Sequence, residues 1–375
     1  MRPTPVGRWP LVAIGAWLST RLIVLVSLAA AHLLVSRLMI HRLNVTMRVH
    51  QGFLAWDGGW YQSIAAHGYR AAGEESSRFF PLFPLLGRLF AYLGPSPGIS
   101  LVIIANLSAL LVMVLFVKLA QATLSDAEAA ERSLWLFAVA PGAYVLVLGY
   151  AEALFLALVL GIFLILKQGA KSSASWAAIA GLAFMAAFAR PLGLALLPAI
   201  GLVAFRSWKS THRVARSVSL IATFAPALAV FVVMAISAAN FHTWLAPFQS
   251  QLDRQHHGRI SNPASTVMHA LGDATHGHLA AVMHLPWIML AIFGLFFAWK
   301  TLPGEQTIFA AGVVLLALSG SNLDSFERYA ECAFPLFFVA GSLLRSSLWF
   351  RAVFAVLSAW LALFVLLVFL DLAVA

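Results

Sequence analysis

The chain has 375 residues, 62% of them hydrophobic and only 10% charged, with a formal net charge of +10 and a mean hydropathy of +0.90. A pair of soluble domains is excluded, since ordinary soluble domains carry about 25% charged residues, and continuous rather than alternating apolar runs exclude a membrane barrel. The basic residues lie between apolar runs instead of on one soluble face, so they read as topology signals and not as a nucleic-acid surface. The expected class is an all-α polytopic membrane protein forming one domain over 1–375, because in hydrocarbon only helices or closed barrels satisfy every backbone group. The single Cys332 permits no intrachain disulfide.

Arg2 and Arg8 are expected to hold the N-terminus on the cytoplasmic side. The first apolar run, Leu11–Val35, is too long for a signal-peptide core and reads as a retained span. It leads into a long extracytoplasmic loop, 36–98, and Ile99–Leu119 returns to a charged turn at Lys118–Arg132. Two long apolar runs follow, 133–166 and 172–205, each flanked by basic residues at both ends and so each crossing twice. Their tips fall at Pro141–Phe155 and Ala189–Leu194, where proline and glycine favour a break. Val218–Ala239 crosses outward to a histidine-rich loop, 240–285. Trp287–Trp299, Thr307–Leu318, Cys332–Leu344 and Ala352–Val374 complete about eleven spans of the length a bilayer requires.

This threading puts the short basic turns on one side and the residues suited to chemistry on the other: Asp57, Arg78, Glu152, Arg190, Asp324, Glu327 and Arg328. Asp57 stands in "AWDGGWYQSIAAHGY", where Asp-Gly-Gly ahead of a helical pattern reads either as a helix cap or as a positioned carboxylate. Wound as a helix, the segment places Trp60, Tyr61, Ile64, Ala65 and Gly68 on one face, an amphipathic helix lying on the membrane surface. Arg78 opens "RFFPLFPLL", whose prolines suit a re-entrant anchor, and is placed to meet headgroups or a specific phosphate. Glu152 follows Tyr150 at a hairpin tip inside apolar sequence, where a carboxylate needs a partner such as Arg190 or Arg328, or a wet cavity. The planar guanidinium forks of Arg190 and Arg328 suit phosphate oxygens, although snorkelling to headgroups would also account for them. Arg21, within the first span, reads as structural. The loop histidines (His242, His256, His257, His269, His276, His278 and His284) fit no recognised zinc spacing, so no metal is expected.

Taken in order, "WDGGWYQSIAAHGY", "FFPLFPLL", "GYAEALF", "ARPLGL" and "ERYAECAFPLF" resemble the PIG-V-like mannosyltransferase family over Trp56–Phe337. Ala151, Pro191 and Leu192 depart from the family pattern, which usually shows a serine at the first position and a serine–asparagine pair at the other two. The resemblance implies a GT-C glycosyltransferase bundle with its catalytic aspartate in the first long extracytoplasmic loop, the place held here by Asp57. It implies a polyprenyl-phosphate sugar donor, as in the family's dolichyl-phosphate mannose, and a lipid-linked or cell-envelope acceptor. Arg78, Arg190, Arg328 and Glu152 are then expected to bind donor phosphate and substrate, with Trp56, Trp60, Tyr61 and His67 beside them. No cofactor is expected, because the donor carries its own leaving group. The expected location is a bacterial cell membrane, with the site facing outward. A transporter or flippase of lipid-linked sugars would also need intramembrane Arg and Glu and broken helices; a GT-C enzyme using another sugar, or a non-catalytic subunit of the same fold, are the other readings.

Overall fold

The computed structural model describes residues 9–37, 43–250, 260–276, 279–320, 323 and 325–372. Asp324, His256, His257 and His278, together with Arg2 and Arg8, lie outside the described residues. The described regular structure is helical, apart from one isolated antiparallel bridge between Ile260 and Gly320.

Chain order begins with α1 (Trp9–Arg37), whose surface reverses that of a water-soluble helix. Leu11, Leu18, Leu22 and Leu25 are exposed, while Ala13, Ala16, Thr20 and Val24 are buried. In lipid the bundle contact is made by small residues that let backbones approach, and the large apolar side chains are left to the acyl chains. The first loop then folds into short helices, α2 (Leu43–Gln51), α3 (Asp57–His67), α4 (Tyr69–Ala72) and α5 (Leu82–Ala91). Pro81 immediately precedes α5 and Pro84 lies in its first turn, where a missing N–H costs nothing. Ser96 caps α6 (Pro97–Thr123), accepting the Ile99 N–H, and Asp126 caps α7 (Ala127–Val139), accepting the Glu128 N–H at 2.9 Å.

A 3-10 segment at Pro141–Leu146 separates α7 from α8 (Glu152–Lys167), and a second at Pro191–Ala195 separates α9 (Ser173–Ala189) from α10 (Leu196–Ser207). The breaks therefore occur where proline and glycine interrupt the two long apolar runs. Next come α11 (Arg213–Phe241), the short α12 (Ala246–Gln249), α13 (Pro263–Thr275), α14 (Leu279–Thr301), α15 (Gly304–Leu318), α16 (Phe326–Cys332), α17 (Pro335–Leu343) and α18 (Ser347–Phe369). In the bundle α9 packs on α8 and α11, α8 on α6, α7 on α17, and α1 on α18. Phe116 stacks on Phe137 with centroids 4.7 Å apart, and Phe163, Phe309 and Phe334 form a second aromatic knot.

Six of the described helical segments are long and apolar enough to cross a membrane: Trp9–Arg37, Pro97–Thr123, Pro191–Ser210, Arg213–Phe241, Val282–Thr301 and Ser347–Phe369. That is the build of a multi-pass helical membrane protein. At the other five expected crossings stand α7, α8, α9, α15 and α17, with 13, 16, 17, 15 and 9 residues. At 1.5 Å per residue α7 is about 20 Å long, against a hydrocarbon core of about 30 Å. The start of α8 and the end of α9 lie inside the bundle, and there Glu152 and Arg190 are buried.

The break between α9 and α10 needs Gly193, because a Cβ there would fall 2.6 Å from the backbone nitrogen of Ala187. Gly193→Val is therefore expected to lower the thermal midpoint in detergent micelles by several degrees and to reduce monodisperse yield. Gly181→Ala, where a Cβ meets nothing within 4 Å, is expected to leave both unchanged.

Candidate functional site

Three helix ends and one short helix bring four charged side chains together. Asp57 is the first residue of α3, Glu152 the first of α8, Arg190 directly follows α9, and Arg328 lies within α16. Arg190 and the Nε of Arg328 both engage Oε1 of Glu152, and NH1 of Arg328 lies 2.5 Å from Oδ2 of Asp57. Glu152 is fully buried and Arg190 and Arg328 nearly so, while the Asp57 side chain keeps 19% of its exposure. A buried charge needs a counter-charge, and here two arginines share one carboxylate while the second carboxylate looks outward. Burial alone would pull the Arg328 guanidinium down; the Asp57 and Glu152 carboxylates more than reverse this, so it remains a cation.

Aromatic rings enclose the cluster. The Arg328 guanidinium lies 4.7 Å from the Tyr150 ring and that of Arg190 lies 5.6 Å from Tyr329. Arg78 stands at the edge, 4.8 Å from the Phe79 ring and 5.6 Å from the Trp60 ring. Burial lowers its pKa, and the carboxylate of Asp57 acts in the opposite direction. Among the described residues Arg78 makes no ion pair, and the buried Nε atoms of Arg78 and Arg190 and Oε2 of Glu152 have no hydrogen-bond partner. Buried polar atoms without partners are rare enough to call for an explanation.

Asp57 does not cap α3. The residue before the helix is Trp56, in a positive-φ conformation (φ 56°, ψ −119°), and no side chain caps the end. For a bulky residue this backbone is strained. Trp56 is held there by its indole N–H, which donates to the Val368 carbonyl at 3.1 Å, and by the Arg48 guanidinium 3.9 Å from its ring. Gly58 lets the turn pack on backbone: a Cβ there would lie 3.3 Å from the Phe53 carbonyl and 3.6 Å from that of Gly149.

The other sequence candidates divide. Tyr61 is buried one turn after Asp57, edge-on to Phe79 and Phe83 at 5.0 Å each, and Trp60 stacks on Phe79 at 5.8 Å. His67 is exposed at the far end of α3, about 15 Å along the helix from Asp57, and is not part of the cluster. Trp56 faces Arg48 and α18 and acts through the backbone of Asp57. Arg21 donates to the Asn106 side chain at 3.0 Å and the Leu146 carbonyl at 2.6 Å, pinning α1 to the 3-10 segment.

Two features escaped the sequence reading. Nδ1 of His284 lies 2.8 and 2.9 Å from the carboxylate oxygens of Glu327, with both side chains buried. Glu331, one turn further along α16, is 1% exposed, and its Oε1 has no hydrogen-bond partner among the described residues. The signal was present as two acids four residues apart, Glu327 and Glu331, which places both on one helix face. Among the described residues no group of three or more His, Cys, Asp or Glu is arranged to hold a metal.

No family model and no curated protein sequence matches the chain.

The two buried acids should respond differently to neutralisation. Glu152→Gln leaves two buried arginines without their shared counter-charge and is expected to cost about 3–5 kcal/mol. Burial raises the pKa of Glu331 well above the ordinary carboxyl value, so the wild-type protein loses stability as pH rises from the unfolded carboxyl range toward the folded pKa. Glu331→Gln removes that titration, and its stability relative to wild type is expected to increase with pH. Thermal unfolding of both variants in micelles across a pH series checks the contrast.

Proposed function

We propose that the protein is a membrane glycosyltransferase, a mannosyltransferase by the resemblance, that moves a sugar from a polyprenyl-phosphate donor to an acceptor hydroxyl by inverting displacement. The observation that carries this reading is a partly exposed carboxylate, Asp57, set beside three arginines and one fully buried carboxylate. Counting Arg78, the group has three cations and two anions, a surplus of one positive charge that matches the single negative charge of a phosphodiester. The unpartnered atoms of Arg78, Arg190 and Glu152 supply donors and an acceptor for a phosphate and a sugar hydroxyl.

The acceptor oxygen attacks the anomeric carbon as its proton passes to Asp57. The bond from that carbon to the phosphate oxygen breaks, and the electron pair leaves with the phosphate, now a monoester carrying more negative charge. Guanidinium groups stabilise this charge best through paired, charge-assisted hydrogen bonds. Arg328 holds Asp57 at 2.5 Å. A donor phosphate that takes over Arg328 would free the carboxylate to act as base, linking its activation to donor binding.

The broken helices around a buried ionic cluster also favour a second reading, a flippase for lipid-linked sugars. Proteoliposomes with radiolabelled polyprenyl-phosphate mannose separate the two: transfer yields a new glycosylated product, whereas translocation changes only the leaflet.

A positioned base contributes about 10²–10⁴-fold, so Asp57→Asn is expected to lose transfer by that factor while folding normally; a fully active variant would remove the catalytic assignment. Arg78→Lys, Arg190→Lys and Arg328→Lys keep charge but lose the fork, and at least one is expected to reduce turnover or donor affinity.

The working face is proposed to be extracytoplasmic. Lys167 and Arg206 lie at the ends of α8 and α10 opposite the cluster, as basic cytoplasmic turns would. Single cysteines introduced at Gly73 and Arg213, in a Cys332→Ala background, are expected to react with an impermeant thiol reagent in intact cells at the first position only.

A further inference from the structure

The buried pair of His284 and Glu327 has no part in the transfer scheme, yet it adjoins that scheme by a single residue. Glu327 and Arg328 are consecutive on α16, a helix of only seven residues. Successive residues of a helix diverge by about 100°, so the two side chains leave in different directions. Arg328 reaches Asp57 on α3 and Glu152 on α8. Glu327 reaches α14 instead, where Nδ1 of His284 lies 2.8 and 2.9 Å from its two carboxylate oxygens. The backbone of α16 is pressed on the 3-10 segment at Pro141–Leu146, where a Cβ on Gly142 would collide with the Glu327 carbonyl.

A seven-residue helix has little stability of its own, and α16 takes its place from what it touches. The ionic cluster and His284 hold it from two directions and together set its rotation. Side chains reach about 5–6 Å from a helix axis, so a rotation of about 20° would carry the Arg328 guanidinium by about 2 Å. Such a shift would break its 2.5 Å contact with Asp57. Stability alone does not call for the pair. Both side chains are buried, and apolar residues of similar volume are often at least as stable in such a place. A polar pair adds direction: facing a carboxylate, the imidazole nitrogen donates, and its N–H must point at the acceptor.

We propose that His284 is a positioning residue for sugar transfer, whose hydrogen bond to Glu327 fixes the rotation of α16 and so holds the Arg328 guanidinium against Asp57. The role rests on the glycosyltransferase reading, in which Arg328 passes from Asp57 to the donor phosphate. His284 acts through Arg328 and not on the substrate.

Two measurements test this, and the first needs no activity. In the full chain in nanodiscs, with Cys332→Ala, the Asp57→Cys substitution sets a thiol beside Arg328. Its pKa is read from the pH dependence of labelling by a methanethiosulfonate reagent. A neighbouring guanidinium lowers a thiol pKa, so Arg328→Gln is expected to raise it by about 1 unit or more. His284→Phe is expected to raise it comparably, whereas His284→Asn, whose amide N–H takes the place of the Nδ1 donor, is expected to leave it unchanged. Should His284→Phe fail to fold, His284→Gln sets the N–H one bond farther out and is expected to give the same rise. The second measurement is transfer by the chain with Asp57 and Cys332 intact. A small misplacement of a group at the reacting centre can cost about 10²-fold, so His284→Phe is expected to lower kcat by about tenfold to 10²-fold and His284→Asn to restore most of it. In an Arg328→Lys background His284→Phe is expected to add little, because both changes act through one group. A thiol pKa unmoved by His284→Phe, an Asn variant that behaves like Phe, or fully additive losses of kcat would each overturn the proposal and leave His284 a packing residue. If the wild-type protein transfers no sugar, the glycosyltransferase reading falls, while the thiol titration still decides whether His284 holds Arg328 in place.

Discussion

The sharing of one fully buried carboxylate by two arginines is the constraint on which the centre of this protein depends. Glu152 begins α8, Arg190 follows α9, and Arg328 belongs to α16, elements separated by up to 176 positions in the chain. None of the three charges could remain at this depth alone, since an unpaired ion in a low-dielectric interior costs several kcal/mol after relaxation. Their association therefore fixes where the broken helices stop. It also fixes Arg328 in the position that holds Asp57, so the partly exposed carboxylate takes its place from the contact between Arg328 and Glu152.

The short helices make sense in the same terms. A continuous span would carry Glu152 and Arg190 past the bundle interior within a few residues, whereas a helix that ends delivers its terminal side chain at that point. Helix ends also leave backbone groups in need of partners. The 3-10 segments at Pro141–Leu146 and Pro191–Ala195 supply part of that satisfaction, and the Arg21 bond to the Leu146 carbonyl supplies more. Irregular backbone at membrane depth is tolerable because it is buried in protein rather than exposed to lipid.

Much of this was legible in the sequence. The two helix breaks follow from proline and glycine inside long apolar runs, and the need of Glu152 for an arginine follows from the cost of an isolated charge. That both candidate arginines meet it was not legible, because sequence spacing carries no information about which helices become neighbours. The capping alternative for Asp57 failed for a similar reason: local pattern allowed it, but contacts from α18 and Arg48 hold Trp56 in a conformation that local preference disfavours. His67 shares a helix with Asp57 but not its end. His284 was counted among loop histidines, although it lies in α14, one turn before Trp287 and against Glu327.

The hydrogen bond from Trp56 to the Val368 carbonyl joins positions 312 residues apart. It follows that the strained turn before Asp57 lacks this anchor while the chain is being made, and has only nearer contacts such as that of Arg48. During synthesis the first loop is complete long before α18 exists, so the aspartate's final orientation must be among the last features to form. Late closure of such a distant contact is slow in general, and it makes the maturation of the ionic centre a report on completion of the whole bundle.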